Sequence, residues 1–312
     1  FKQKTAYEIG VRLVGSEMCI RDRDGSYLTE FLMDKGYEVH GLVRRASSFN
    51  RGRIEHLRMN SKTKNTKLHL HYGDITDTPN LSRLISSIRP DEIYNLAAQS
   101  FVQTSYEQPI YTSDIDGIGV TRLLETIRNL GGKPKFYQAS TSEMFGKAQE
   151  SPQNEGTPFY PRSPYGIAKL YSHWMTINYR ESWGIHACSG ILFNHESPLR
   201  GSEFVTRKIS LGMAEIKNQK RDTINLGNLS AERDWGFAGD YVEAMWLMLQ
   251  KEKPNDYVIA TGETHSVRDF TEKAAKAVGI DLEWDDKGPN EKGLCLSLIH
   301  ISEPTRRTPI SY

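Results

Sequence analysis

The chain has 312 residues, 40 Lys+Arg against 39 Asp+Glu, a formal net charge of +1, 38% hydrophobic and 10% aromatic residues, and three cysteines. The charge balance excludes a nucleic-acid binder driven by bulk positive charge, the cysteine count excludes a disulfide scaffold, and the apolar fraction excludes a disordered tail. No apolar run reaches the ~18 residues of a transmembrane helix, so no membrane partner is expected, and the length suffices for one large α/β unit or two domains with a real core.

The first stretch does not read as part of a fold. Residues 7–23 (YEIGVRLVGSEMCIRDR) and 296–312 (LSLIHISEPTRRTPISY) stand in an antisense relation: one permitted codon choice for the first, read on the opposite strand, encodes the second. A repeated protein element would match in sense. Residues 1–23 and 294–312 therefore resemble a translated sequencing adapter and are set aside from fold reasoning as non-native tracts. Two of the three cysteines, Cys19 and Cys295, fall in them. The remaining Cys188 suits a reducing cytosol, and a cytoplasmic location is expected.

From Asp24 onward helix and strand alternate, which predicts an α/β fold with a Rossmann-type doubly wound parallel sheet. Residues 26–35 place Leu28, Phe31 and Leu32 on one helical face and end at Gly36. Strands are predicted at 38–43, 68–72, 93–97, 135–139 and 187–193, with helices at 81–88, closed by Pro90, at 121–130 and at 165–183. Beyond Glu196 the alternation loosens. The expected division is a dinucleotide-binding domain over 24–195 and a smaller, mixed substrate lobe over 196–293. A dinucleotide site normally opens with strand, glycine loop and helix. Here the strand and first glycines would lie upstream of Asp24, and only Gly25 remains of the loop. Val11–Gly15 (VRLVG) has the shape of a first strand but supports no functional reading.

Arg44 and Arg45 follow the second strand, where a site for the unphosphorylated dinucleotide usually places an acid on the ribose 2′-OH. Two guanidiniums there favour a 2′-phosphate and hence NADP; the bland alternative is a solvated basic turn. Asp74 after the third strand, and Leu96, Ala97, Ala98, Gln99 and Ser100 after the fourth, stand at the strand ends where ligands gather in such sheets. Tyr165 and Lys169 lie four apart, so on a helix they face one way. A lysine cation beside a phenol favours the phenolate, a base able to take a hydroxyl proton during hydride transfer. The weight of this pair comes from the cluster Ser140-Thr141-Ser142-Glu143, directly after a strand. Thr141 can hydrogen-bond the reacting hydroxyl. Glu143 discriminates, because eliminating water beside a ketone needs a further base for the carbon-bound proton and an acid for the leaving hydroxyl. The bland reading of Glu143 is an exposed carboxylate in a turn. No metal site is expected.

Residues 24–293 resemble the GDP-mannose 4,6-dehydratases, a group of extended short-chain dehydrogenases/reductases. The resemblance is carried by DGSYLTEFLMDKGYEVHGLVRRASSFN, IYNLAAQS, FYQASTSEMFG, PFYPRSPYGIAKLY, GILFNHESP, FVTRKI, LGNLSAERDWG, DYVEAMWLMLQ and VIATGETHSVRDF. It implies catalytic roles for Thr141, Glu143, Tyr165 and Lys169. It implies NADP contacts from Arg44, Arg45, Asp74, Ile75, the 96–100 loop, Tyr111, Lys169, His195 and Arg200, and nucleotide-sugar contacts from Ser142, Asn194, Val205, Lys208, Asn228 and Arg233. For Asn194, His195, Lys208 and Arg233 the bland reading is structural hydrogen bonding or surface charge. The resemblance further implies conversion of GDP-mannose to GDP-4-dehydro-6-deoxy-D-mannose, the first step towards GDP-fucose, in a homodimer or homotetramer whose 44–56 loop meets a neighbouring subunit. The chain departs from the family pattern in its glycine loop, at Phe101 where a histidine often follows Gln-Ser, and at Leu199. With the phosphate-cradling amides missing, weak cofactor binding is expected. The alternatives are an epimerase, against which Glu143 argues, a sibling dehydratase for another nucleotide, from which the resemblance alone separates this chain, and a catalytically silent NADP-binding protein, against which Tyr165 and Lys169 argue.

Overall fold

The computed structural model describes residues 11–15, 23–44, 57, 68–131, 134–285 and 292–295. In chain order the first elements are β1 (Val11–Gly15), α1 (Arg23–Asp34), β2 (Glu38–Val43), β3 (Leu68–Tyr72), α2 (Thr78–Ile88) and β4 (Glu92–Asn95). The short helices α3 (Val102–Glu107) and α4 (Pro109–Ser113) then lead through a π-helical turn (Asp114–Ile118) into α5 (Gly119–Asn129). After β5 (Lys135–Thr141) come one tight helical turn (Ser142–Met144), the long α6 (Pro164–Trp183) and β6 (Ala187–Leu192). β7 (Asn194–Glu196), α7 (Val205–Lys217) and β8 (Glu232–Phe237) follow, then α8 (Ala238–Gln250), β9 (Asp256–Ile259), β10 (Thr264–Ser266), α9 (Val267–Ala277), β11 (Leu282–Trp284) and β12 (Gly293–Cys295).

Seven strands form one parallel sheet in the order β3-β2-β1-β4-β5-β6-β9, which reverses direction between β1 and β4 as a Rossmann-type doubly wound sheet does. The expected fold class is therefore observed. The central strands are apolar on both faces: every residue of β6 is buried, and Ile93, Tyr94, Phe136 and Tyr137 are inaccessible to solvent. That pattern fits a parallel sheet covered by helices on both sides. α1 packs with α8 as one layer, and α2, α5 and α6 pack in sequence as another. Capping fixes where helices begin. Asp77 accepts the Asn80 amide at the head of α2, with Pro79 in the first turn, so that helix starts three residues before its apolar pattern does.

Val11–Gly15, which has the shape of a first strand although it falls in the tract set aside as non-native, fills the central slot of the sheet and pairs with both β2 and β4. The slot is defined by main-chain donors and acceptors of its neighbours, which any extended segment can satisfy. Against the expected division into 24–195 and 196–293, the described residues of 1–193 and 237–259 cluster as one compact unit and those of 194–236 and 260–311 as a second. The chain returns to the first unit because Tyr241, Val242, Met245, Met248 and Leu249 of α8 join its core and β9 extends the sheet from β6. The second unit has its own smaller core, built on Ile209, Met213 and Ile216 of α7 and Val267 and Ala275 of α9. Its three-stranded sheet runs β10-β8-β7. Asp234 joins two of its segments by accepting the Thr261 and Gly262 amides.

Candidate active site

The carboxyl end of β5 and the first turns of α6 bring the four expected catalytic residues into one neighbourhood. Thr141 ends β5, and its Oγ1 accepts the Glu143 amide at 3.2 Å, turning the chain into the tight turn that carries Ser142 and Glu143. α6 starts under the control of Ser163, whose hydroxyl accepts the Gly166 amide at 3.0 Å, with Pro164 preset for the first helical position. Gly166 is where the two segments meet. A Cβ there would lie 2.7 Å from the Glu143 carbonyl oxygen and 3.2 Å from Pro161 Cβ, so only glycine allows α6 to approach the turn this closely. Tyr165 and Glu143 are thereby placed by the same contact.

Lys169 follows one helical turn after Tyr165 and is 2% exposed. Its Nζ donates to the Ala139 carbonyl at 3.1 Å and lies 5.7 Å from the centroid of the Tyr165 ring. The same carbonyl accepts Gln138 Nε2, and Gln138 Oε1 in turn accepts Asn95 Nδ2, so a buried polar chain runs from β4 through β5 to the lysine. Burying an ammonium is costly without such partners.

Sequence reasoning missed Asp116, in the π-helical turn beside α6. It is fully buried, its Oδ1 accepts the Gln99 amide at 2.7 Å, and its Oδ2 has no hydrogen-bond partner among the described residues. Burial pushes its carboxyl up to about 7, against the opposing pull of the Lys169 cation and the Gln99 amide. Gly117 next to it permits close packing on α6: a Cβ there would meet Tyr171 Cδ1 at 3.2 Å. Nothing in the string Asp-Ile-Asp-Gly separates such a carboxylate from a surface turn.

The expected cofactor residues line the strand ends. Arg44, exposed after β2, donates from Nη1 to the Tyr111 hydroxyl at 3.4 Å. Asp74 follows β3 and its Oδ1 caps its own turn through the Thr76 amide and hydroxyl, while Ile75 is buried. Leu96, Ala97 and Ala98 are buried and Ser100 half-buried. Gln99 pins this loop, donating to the Phe101 carbonyl and Thr112 while accepting the Phe101 amide. Gly25 is buried in the first turn of α1, with its carbonyl accepting the Thr29 hydroxyl at 2.6 Å. Arg45 lies outside the described residues.

The remaining expected residues all belong to the second unit. His195 is buried in β7, beside half-buried Asn194. Arg200 pairs with Glu196 at 3.2 Å and lies over the Phe204 ring at 3.6 Å. Val205 opens α7, and Lys208 one turn later donates to the Asn225 carbonyl. Asn228 caps its own turn through the Ser230 amide, and exposed Arg233 donates to the Glu232 carbonyl.

Comparison with known proteins agrees with this geometry. The family model described as GDP-mannose 4,6 dehydratase matches residues 21–307. A GDP-mannose 4,6-dehydratase of Vibrio cholerae serotype O1 is 56% identical over 287 residues, spanning 91% of this chain and 77% of its own. The GDP-mannose 4,6 dehydratase of Homo sapiens is 57% identical over 288 residues with the same coverage. Among solved structures, UDP-glucose 4-epimerase of Thermotoga maritima aligns at TM-score 0.75 and 22% identity, over 95% of this chain and 86% of that one. The dTDP-glucose 4,6-dehydratase of Bacillus anthracis, solved in complex with NAD, aligns at TM-score 0.74 and 19% identity, over 86% and 81%. At these identities the two structures establish the fold alone, whereas the sequence relatives establish more: the chain belongs to the GDP-mannose 4,6-dehydratase family.

Proposed function

We propose that the chain is a hydro-lyase that converts GDP-mannose into GDP-4-dehydro-6-deoxy-D-mannose and water, using a nicotinamide cofactor, NADP, that is regenerated within each cycle. The observation that supports this reading is the turn after β5, whose Glu143 amide is held by the Thr141 hydroxyl and whose Glu143 carbonyl abuts Gly166 at the head of the helix bearing Tyr165 and Lys169. Hydroxyl, phenol and lysine alone serve a plain oxidation; the added carboxylate is what elimination requires.

The strand ends fit a dinucleotide by the chemistry of their donors. Arg44 offers an exposed guanidinium suited to a 2′-phosphate, Ala97 and Ala98 leave room for close approach, and buried Lys169 offers an ammonium. A nicotinamide held there would supply reversible hydride transfer, between C4 and C6 of the sugar. Tyr165 takes the proton of the C4 hydroxyl, with Thr141 hydrogen-bonded to the same oxygen. Lys169, held by the Ala139 carbonyl, keeps a positive charge beside the phenol and favours its ionised form. The C4 carbonyl acidifies the C5 hydrogen; Glu143 removes that proton and delivers it to the C6 hydroxyl, which departs as water, and C5 then takes the proton held by Tyr165 as hydride returns to C6, leaving both side chains as they began. Ser142, Asn194, His195, Arg200, Val205, Lys208, Asn228 and Arg233 are proposed to bind and orient nucleotide sugar and cofactor.

A cytoplasmic homodimer or homotetramer is part of the same reading, supported by the family and by Cys188, a buried free thiol. Among the described residues no helix is long and apolar enough to cross a membrane. The test is the mass of the nucleotide sugar after incubation with protein and NADP⁺. Loss of one water from GDP-mannose, without net NADP⁺ consumption, is expected. An unchanged mass together with turnover of a UDP- or dTDP-sugar would replace the substrate.

A further inference from the structure

On the outer edge of the parallel sheet, far from the strand ends just described, β2 and β3 bring four metal-ligating side chains together. The register pairs His40 with His69 and Leu42 with His71, and alternation along each strand puts Glu38 and His40 on the same face as His69 and His71. Glu38 Oε1 is 3.0 Å from His69 Nε2 and 3.5 Å from His40 Nε2. One ligand atom from each of these three residues lies within 4.8 Å of the others. A zinc ion with bonds of about 2.0–2.1 Å in tetrahedral geometry sets its ligand atoms about 3.3 Å apart, so the two carboxylate separations bracket the required value.

The fourth residue supplies an outer partner. His40 Nδ1 is 2.9 Å from His71 Nε2. With the proton on His40 Nδ1 and His71 as acceptor, the Nε2 lone pair of His40 points to the Glu38 side, the tautomer and support that ligating histidines require. At 3.5 Å the carboxylate is at the limit of hydrogen bonding to that nitrogen. Burial first, and then mutual repulsion among the histidines, hold the imidazoles of His40 and His71 below the ordinary range, with Arg83 of α2 adding to the effect on His71 and Glu38 opposing it on His40. The rings of His40 and His69 are stacked within 22° of parallel, so their lone pairs converge only after one ring turns. His69 can turn: its side chain is 46% exposed, against 12% for His40 and 21% for Glu38.

We propose that Glu38, His40 and His69 form a binding site for a divalent transition-metal cation, zinc in the first instance, with His71 orienting His40. One carboxylate and imidazole nitrogens suit zinc, nickel or copper rather than magnesium or calcium, and three ligands leave a fourth position for water. The site lies about 13 Å along β2 from Arg44 at ~3.3 Å per residue, so its role is to staple β2 to the edge strand β3, not to serve the reaction.

The test uses the full chain, stripped with chelator and titrated with Zn²⁺ in competition with a chromophoric chelator, with circular dichroism following thermal unfolding. Wild type is expected to take up one equivalent and to melt higher with zinc than with EDTA. His69→Gln, at an exposed position that folding tolerates, should lose the equivalent and the thermal shift, and His71→Phe should weaken binding by about 10–100-fold. Dehydratase turnover should be the same in His69→Gln as in wild type. Equal zinc affinity in wild type and His69→Gln, or no saturable uptake by wild type, overturns the site and leaves a Glu38–His69 ion pair in its place.

Discussion

The carboxyl end of β5 and the ligand-facing candidates of the second unit are built on different terms. In the first unit three of the four candidate catalytic residues are tied to something rigid: Thr141 to the Glu143 amide, Lys169 to a strand carbonyl, and Tyr165 to a capped helix whose glycine abuts the turn. In the second unit Arg233 is exposed, Asn228 caps its own turn through the Ser230 amide, and Lys208 donates to the loop carbonyl of Asn225, although Arg200 is held by Glu196 and Phe204. Its core is correspondingly small. Proton transfer fails when groups are misplaced by about 1 Å, whereas phosphates and riboses can be met by long side chains that adjust. On the proposed function, the firmer anchoring falls on the groups that would move protons.

That contrast can be broken most sharply at Glu143. Glu143→Gln should lower dehydration by about 10²–10⁴-fold while leaving the melting temperature unchanged, measured by product mass and circular dichroism. Asp116→Asn probes the buried carboxylate beside the lysine. Its carboxyl moves from an ordinary 3.8 to about 7 in the fold, so the folded state favours the protonated form. Its contribution to stability is complete below about pH 4 and lost as pH rises through about 7. The asparagine variant, which keeps an acceptor for the Gln99 amide, should therefore gain stability over wild type between about pH 5 and pH 8, reaching on the order of 3–4 kcal/mol in urea unfolding. A gain independent of pH would contradict the assignment.

Arg180 and Asp256 anchor the far half of α6 to β9 through two parallel hydrogen bonds of 3.0 and 2.6 Å, with side chains only 14% and 13% exposed. Arg180→Ala should cost about 3 kcal/mol in the same assay, by leaving Asp256 buried and unpaired. Gly166→Ala sharpens the comparison from the other side. It should lower kcat by about 10–100-fold with native secondary structure, because the displaced groups are the reacting ones. The smallest structural effect belongs to the second unit: Arg233→Ala should raise KM with little change in kcat and shift stability by no more than about 0.5 kcal/mol.

The parts legible from sequence were those with a fixed spacing. Tyr165 and Lys169 are read from a helical interval, Thr141 and Glu143 from a hydroxyl cluster after a strand, and the sheet from its alternation. Pairing across distance leaves no local mark. The fate of 237–259 depended on α8 finding the core of the first unit, and the apolar face that sends it there looks the same in either lobe. The central position of β1 rests on backbone pairing, to which sequence is nearly indifferent. Gln99, expected at the cofactor, also pins its own loop, a role set by Thr112 and Asp116 that lie up to 17 residues away. Gly166 was in plain view, but its necessity comes from the Glu143 carbonyl that faces it.

The most direct test of the central claim follows a label. GDP-mannose carrying deuterium at C4 is incubated with the protein and NADP⁺, and the product is read by mass and by NMR. The account predicts a product lighter by one water, with the deuterium now at C6 and no accumulation of reduced cofactor. A product with the deuterium lost, or an oxidised sugar that retains its C6 hydroxyl alongside accumulating NADPH, would show that Glu143 does not couple oxidation to elimination.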